Sequence, residues 1–210
     1  MNVANPWAQP ASRAVHYKLV LLFLVSGVAA LIYQVCWQRL LFESVGVDIE
    51  SVTIIVSTFM LGLGVGALVG GIFADRYPTQ ALAMFALIEL AIALFGCASP
   101  WLIHTAGVVA VRASLPTIAL TNFALLLAPT MLMGATLPIL VTYVVRHYRN
   151  IGVSIGLLYF ANTLGAALGA AATGMLALYY LGLAATIYVA AALNVLVSAT
   201  VWFGLRRHSV

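Results

Sequence analysis

Residues 57–76 read STFMLGLGVGALVGGIFADR, an apolar run striped with glycine that stops at an Asp-Arg pair. Gly62, Gly66 and Gly70 recur every four residues, so they share one face of a helix. In water such a run is a poor helix, because each glycine costs roughly 1 kcal/mol relative to alanine. In lipid the same stripe lets two backbones approach closely, where van der Waals packing drives association. The stretch is therefore read as a membrane helix whose glycine face packs against another helix.

The composition agrees with this reading. Hydrophobic residues make up 64% of the 210-residue chain and charged residues 7%, with a mean hydropathy of +1.12, too little polar surface for a water-soluble fold of this size. The net charge of +4 does not point to nucleic acid, since the nine basic residues are scattered between apolar runs and form no stripe. GLGVGA at 62–67 matches a degenerate dinucleotide fingerprint but lacks the preceding strand and the solvated phosphate site that the pattern requires. Cys36 and Cys97 are too few for a disulfide framework or a metal cluster and read as small hydrophobes, with an interhelical disulfide as the alternative. His16, His104, His147 and His208 have no metal spacing. No metal site and no cofactor are expected.

A span needs about 20 apolar residues, and cutting the chain at its charges gives six, at roughly 18–42, 51–74, 80–103, 115–145, 152–178 and 183–204. The apolar run of the first continues to Trp37, so it is read as a span and not as a cleaved leader. The fourth contains Pro129 and Pro138 and is expected to be kinked or broken at a proline. The uncharged stretch from Ile151 to Leu205 is too long for one helix, and its turn is placed near Tyr179 to Gly182. Residues 1–16 form an N-terminal tail, 17–205 a six-helix transmembrane domain and 206–210 a short tail. If both termini are cytoplasmic, Arg13, Lys18, Arg76, Arg146, Arg149, Arg206 and Arg207 lie inside against Arg39 and Arg112 outside, as the positive-inside rule asks. The acids Glu43, Asp48 and Glu50 then fall in the first outer loop, Trp37 and Trp101 mark the outer interface, and Tyr17 and Trp202 the inner one.

The second helix of each three-helix half is the one rich in small residues, with Gly165, Gly169 and Thr173 forming a stripe in the fifth span. Two three-helix repeats are a recurrent transporter architecture. Gly62, Gly71, Asp75 and Arg76 resemble the cytoplasmic loop signature of the major facilitator superfamily, although Tyr77, Pro78, Thr79 and Gln80 follow where that family has a glycine and a basic residue. The blocks SGVAALIYQVCWQRLL, STFMLGLGVGALVGGIFADR, ALIELAIALFG, PTMLMGATLPIL, GLLYFANTLGAALGA and AALNVLV resemble, in order, the membrane domain of bacterial spermidine synthase-like proteins. In those proteins a half-facilitator bundle precedes a soluble aminopropyltransferase domain. The resemblance implies an all-α integral membrane fold of the bacterial inner membrane, built as half a facilitator. Because this chain ends at Val210, the transferase domain and its catalytic residues are expected to be absent, and the chain is not expected to be an enzyme.

Glu89 lies within the third span, where a charged acid costs about 2.5–3.5 kcal/mol on insertion scales. It reads either as a cation or proton site or as a protonated carboxyl tying its helix to a neighbour. Tyr33, Gln34, Asn162 and Thr163 are the other polar groups at membrane depth, able to line a pathway with Glu89 or to form interhelical hydrogen bonds; Asn194 ranks below them. Arg39 and Glu43 can pair at the outer end of the first helix, and Asp75 and Arg76 can bond to neighbouring helix ends and anchor the loop. The leading expectation is a half-transporter-like module in the lipid bilayer that handles a small cationic solute. Its second and fifth helices, through Gly62, Gly66, Gly70, Gly165 and Gly169, form a face to be covered by a second copy or another membrane subunit. The alternatives are a non-transporting accessory subunit of a larger membrane complex and the membrane partner of a separate aminopropyltransferase.

Overall fold

Six apolar runs become six helices in a computed structural model of the chain, which describes residues 13–45, 49–110, 115–147 and 150–205. They are α1 (Arg13–Val45), α2 (Ile49–Arg76), α3 (Ala81–Ala110), α4 (Leu115–His147), α5 (Ile151–Tyr180) and α6 (Leu183–Leu205). Each is long and apolar enough to cross a membrane. Helix α1 begins at Arg13, so residues 13–16, given above to the tail, are helical. Residues Asp48, Arg112, Arg149, Arg206 and Arg207 and the side chains of Arg13, Glu43 and Glu50 lie outside the described set, so the Arg39 and Glu43 pair does too.

The turns follow the local chemistry. A 3-10 turn over Pro78–Gln80 joins α2 to α3, with proline at its start, where the missing N–H costs nothing. Gly182, at φ 77°, makes the turn between α5 and α6, a conformation that favours glycine. Of the two expectations for α4, a kink or a break at a proline, the break does not occur: the helix continues through Pro129 and Pro138. Thr130 donates to the carbonyls of Leu126 and Leu127 and Thr136 to that of Met133, next to the carbonyls left free by the prolines. Helix α3 also contains a proline, Pro100, whose missing donor would serve the carbonyl of Gly96. The Ser99 hydroxyl donates to that carbonyl at 2.8 Å and accepts from Trp37 Nε1 at 2.8 Å, so α1 props up the proline of α3. Both α5 and α6 pass through a π-helical segment, Thr173–Ala177 and Thr200–Leu205. Each begins at a threonine whose hydroxyl donates 2.7 Å to the carbonyl four residues back and competes with the backbone donor there.

The glycine stripes set the closest approaches, and both are covered within the chain. A Cβ at Gly62, Gly66 or Gly70 would run into Thr130, Met131 or Ala135 of α4; one at Gly165 or Gly169 would run into the backbone of Leu24 or Val28 of α1. All five glycines are buried. The reading as packing positions holds, but the covering surface is α4 and α1 of the same chain. These five glycines are thus filled from within the chain and do not themselves wait for a second subunit: periodicity identifies a sticky face and says nothing of what covers it.

Contacts rising together in number make α2 parallel to α4 and α1 parallel to α5. Helices α1 and α3 are also parallel, matched through Phe23 and Phe85, Ser26 and Glu89, and Trp37 and Ser99. Helix α6 runs antiparallel beside α3, tied where Ser198 Oγ donates to the Ala86 carbonyl at 2.7 Å. The core divides into two apolar clusters. One, at the end of the bundle holding the start of α1 and the end of α6, gathers Leu19, Phe23, Phe85, Leu140, Val201 and Leu205. The other gathers Tyr33, Trp37, Phe59, Ile92, Ile103 and Ile187. Trp37 is fully buried, stacked on Tyr33 at 4.9 Å and edge-on to Phe95 at 5.5 Å, so it is a core residue and not an interface marker. Trp101, 68% exposed, has the outward position expected of such a marker.

Candidate polar site between the first, third and sixth helices

A polar layer separates the two clusters. On α1 the cluster residues nearest Ser26 are Phe23 and Ala29; on α3 those nearest Glu89 are Ala86 and Ile92; on α6 those nearest Asn194 are Ala191 and Val197. Each polar residue thus occupies the gap at its own helix's turn between clusters. Glu89 is 0% exposed and accepts a hydrogen bond from Ser26 Oγ at 2.6 Å. The Ser198 bond to Ala86 fixes the register of α6, so that four residues back along it Asn194 reaches the level of Glu89. Asn194 is 2% exposed.

Neither Glu89 Oε2 nor Asn194 Oδ1 has a hydrogen-bond partner among the described residues. Burying such an atom unpaired costs about 1–3 kcal/mol, and more for a charged group. Both are acceptors, and what satisfies two acceptors is a donor. A proton on the carboxyl supplies one O–H donor; an ammonium supplies up to three N–H donors, together with the opposite charge.

The structure divides the residues proposed from sequence. Glu89 and Tyr33 face the same α1 and α3 interface, with the Tyr33 ring lying over Gly96, two helical turns along α3 from Glu89. The Tyr33 hydroxyl is buried and also lacks a partner among the described residues. Gln34, next to Tyr33 on α1, is half-buried. Asn162 is half-buried on α5, where its carbonyl and Oδ1 close over Gly27 of α1, so it belongs to the α1 and α5 seam and does not join Glu89. A lining built from Gln34, Asn162 and Glu89 together is therefore not formed. Thr163 is exposed. Ser26 is the residue missed: a lone hydroxyl in an apolar helix, seven positions before Tyr33 and so on its face, which was the available signal.

At the α2 and α3 turn, Asp75 and Arg76 are exposed. Arg76 Nε donates to the neighbouring Tyr77 hydroxyl at 3.3 Å and its guanidinium lies over the Tyr77 ring, in place of the expected bond to a neighbouring helix end. Cys36 and Cys97 are both free thiols, which sets aside the interhelical disulfide. Among the described residues no three His, Cys, Asp or Glu side chains come together as a metal site.

These features define a six-helix bundle of membrane-spanning dimensions with one buried acid among the described residues, set in a polar layer between two apolar clusters. Among curated proteins the chain is similar to Polyamine aminopropyltransferase 2 of Streptomyces coelicolor, with 28% identity over 212 aligned residues, 98% of this chain and 37% of that protein. The chain thus spans little more than a third of the length of that relative. No protein-family model matches it. No solved structure matches it.

Proposed function

We propose that this chain is a multi-pass inner-membrane module of polyamine metabolism, whose buried Glu89 binds the ammonium group of a small amine as a half-transporter-like bundle handles it. The observation that carries this reading is the free Oε2 of a wholly buried carboxyl, held by Ser26 through its other oxygen and level with the equally unpaired Asn194 Oδ1. Ser26 fixes the carboxylate, Oε2 and Oδ1 accept from the ammonium, and the opposite charge offsets the cost of burying the acid. The similarity to a polyamine aminopropyltransferase along 98% of this chain supports an amine as the solute class. In this reading the transfer chemistry lies with a separate or adjoining enzyme, and the six helices bind and convey.

Helix packing supports the two-repeat, half-facilitator architecture. Exchanging α1 to α3 with α4 to α6 maps the α2 and α4 pair onto α5 and α1, the α3 and α4 pair onto α6 and α1, and the α3 and α6 pair onto itself; all of these pairs are in contact. Lys18, Arg76 and Arg146 stand at one end of the bundle, which is then the cytoplasmic end, with both termini. Ser26, Glu89 and Asn194 all come from one chain.

A second reading, an accessory subunit that conveys nothing, is favoured by the same Ser26 bond, since a neutral Glu89 fixed by one hydroxyl also serves as a structural tie. Uptake of labelled putrescine into vesicles containing the full-length protein separates the two. The transport reading expects saturable uptake that Glu89→Gln abolishes while the variant inserts and folds normally. Absence of uptake above empty vesicles, or uptake untouched by Glu89→Gln, overturns it.

A further inference from the structure

Helices α2 and α3 are consecutive and both lie on α4, yet they barely touch each other. Between them runs a crevice of about 350 Å³, walled by Gly66, Val69 and Phe73 of α2 and by Leu87 of α3, and floored by Met131 and Ala135 of α4. Gly66 and Gly70 leave two positions of the α2 wall without a side chain. Every lining residue is apolar, so an amine or any other charged solute finds no partner there and is excluded by its desolvation cost. Val69, Phe73 and Leu87 are exposed along its mouth, so the crevice opens sideways toward lipid.

The end of the crevice is marked by charge. Arg76 continues the Val69 and Phe73 stripe one turn beyond the apolar wall, and Arg146 continues the floor stripe of Ala135 and Ile139 two turns on. Both are exposed, and neither is paired with a carboxylate among the described residues; Arg76 is engaged with Tyr77 alone. The nearby acid, Asp75, falls on the opposite side of α2 from Gly66, away from the crevice. An apolar slot ending in two guanidinium groups that no carboxylate pairs among the described residues complements a ligand with a long hydrocarbon chain and an anionic head.

We propose that this crevice binds one acyl chain of an anionic glycerophospholipid, with the phosphate held between Arg76 and Arg146 in the leaflet at that end of the bundle. From Gly66 to Phe73 the wall is about 10 Å long, enough for the upper part of one chain and too narrow in volume for a second. The lipid would fill the gap between α2 and α3, which barely touch each other, and so brace both against α4.

The test is native mass spectrometry of the full-length protein in detergent with added phosphatidylglycerol or phosphatidylcholine. The wild-type protein is expected to retain one phosphatidylglycerol in preference to phosphatidylcholine. Replacing both arginines, Arg76→Gln with Arg146→Gln, should reduce that preference by about 25-fold, at about fivefold for each charge near a membrane surface. Leu87→Trp fills the mouth from an exposed position and should remove the bound lipid, whereas Leu68→Trp, exposed on α2 outside the crevice, should not. Equal binding of the two lipids by the wild-type protein, or retention undiminished in Leu87→Trp, overturns the proposal. So does a disulfide-linked dimer formed by Leu87→Cys in native membranes, which would show a second copy covering the crevice.

Discussion

Gly66→Ala puts the packing account at risk with a single methyl group. An ideal Cβ at position 66 lies 2.7 Å from both the carbonyl carbon and the Cα of Met131, and closer still to its carbonyl oxygen. Carbon atoms rest at about 3.5–4.0 Å, so α2 and α4 have to part locally by about 1 Å. The obstructing atoms are backbone inside a helix and cannot rotate aside. Overpacking of this kind costs about 1–3 kcal/mol, against which alanine returns about 1 kcal/mol of helix propensity. A net loss of up to about 2 kcal/mol is expected. Gly64, two residues earlier on the other face, has nothing within 4 Å of its ideal Cβ, so Gly64→Ala keeps only the propensity gain. Reversible unfolding of both variants in mixed micelles, titrated with a denaturing detergent, should separate them by the overpacking cost of about 1–3 kcal/mol. If Gly66→Ala proves as stable as Gly64→Ala, the stripe does not pack on α4 and the reasoning fails.

Other substitutions follow from the same structure. Tyr33→Phe deletes a buried hydroxyl without a partner among the described residues and should leave unfolding free energy unchanged or raise it by up to about 1–3 kcal/mol, the cost of an unpaired buried group; a loss of stability in the micelle titration would mean the hydroxyl is bonded. Trp37→Phe keeps most of the ring stacking but removes the donor to Ser99 beside Pro100, with an expected loss of about 0.6 kcal/mol and at most about 1.7 from the hydrogen bond. The companion variant Ser99→Ala should lose at least as much, since it also frees the Gly96 carbonyl, and a double-mutant cycle reads the coupling directly.

Much of this fold was legible because a bilayer constrains it so tightly. Charges at Arg76, Arg146 and Lys18 delimit apolar runs, and an apolar run of that length has only the helix open to it. The turn at Gly182 was legible for the same reason that it forms, a glycine between two tyrosine-rich and alanine-rich runs. What periodicity could not supply was the identity of neighbours. Gly66 and Gly169 advertised a contact face, yet only the three-dimensional arrangement shows α4 and α1 filling it. Trp37 looked like an interface anchor because hydropathy places it near a helix end, whereas the Pro100 defect in α3 draws its N–H inward. Glu89 stood out by charge alone. Its partner Ser26 did not, since a serine hydroxyl barely registers in hydropathy and becomes informative only when helix register sets it opposite an acid. Gln34 and Asn162 failed as companions for the same reason in reverse: they are polar enough to notice, but they sit on other faces of their helices.

The proposed function requires the free oxygen of Glu89 to hold an amine. Equilibrium binding of labelled putrescine to the full-length protein in lipid nanodiscs measures this without requiring transport. The predicted result is saturable binding of one putrescine per chain, lost in Glu89→Gln and weakened in Asn194→Ala. Binding of equal strength in Glu89→Gln, or no saturable binding by the wild-type protein, would contradict the assignment and leave Glu89 as a structural tie between α1 and α3.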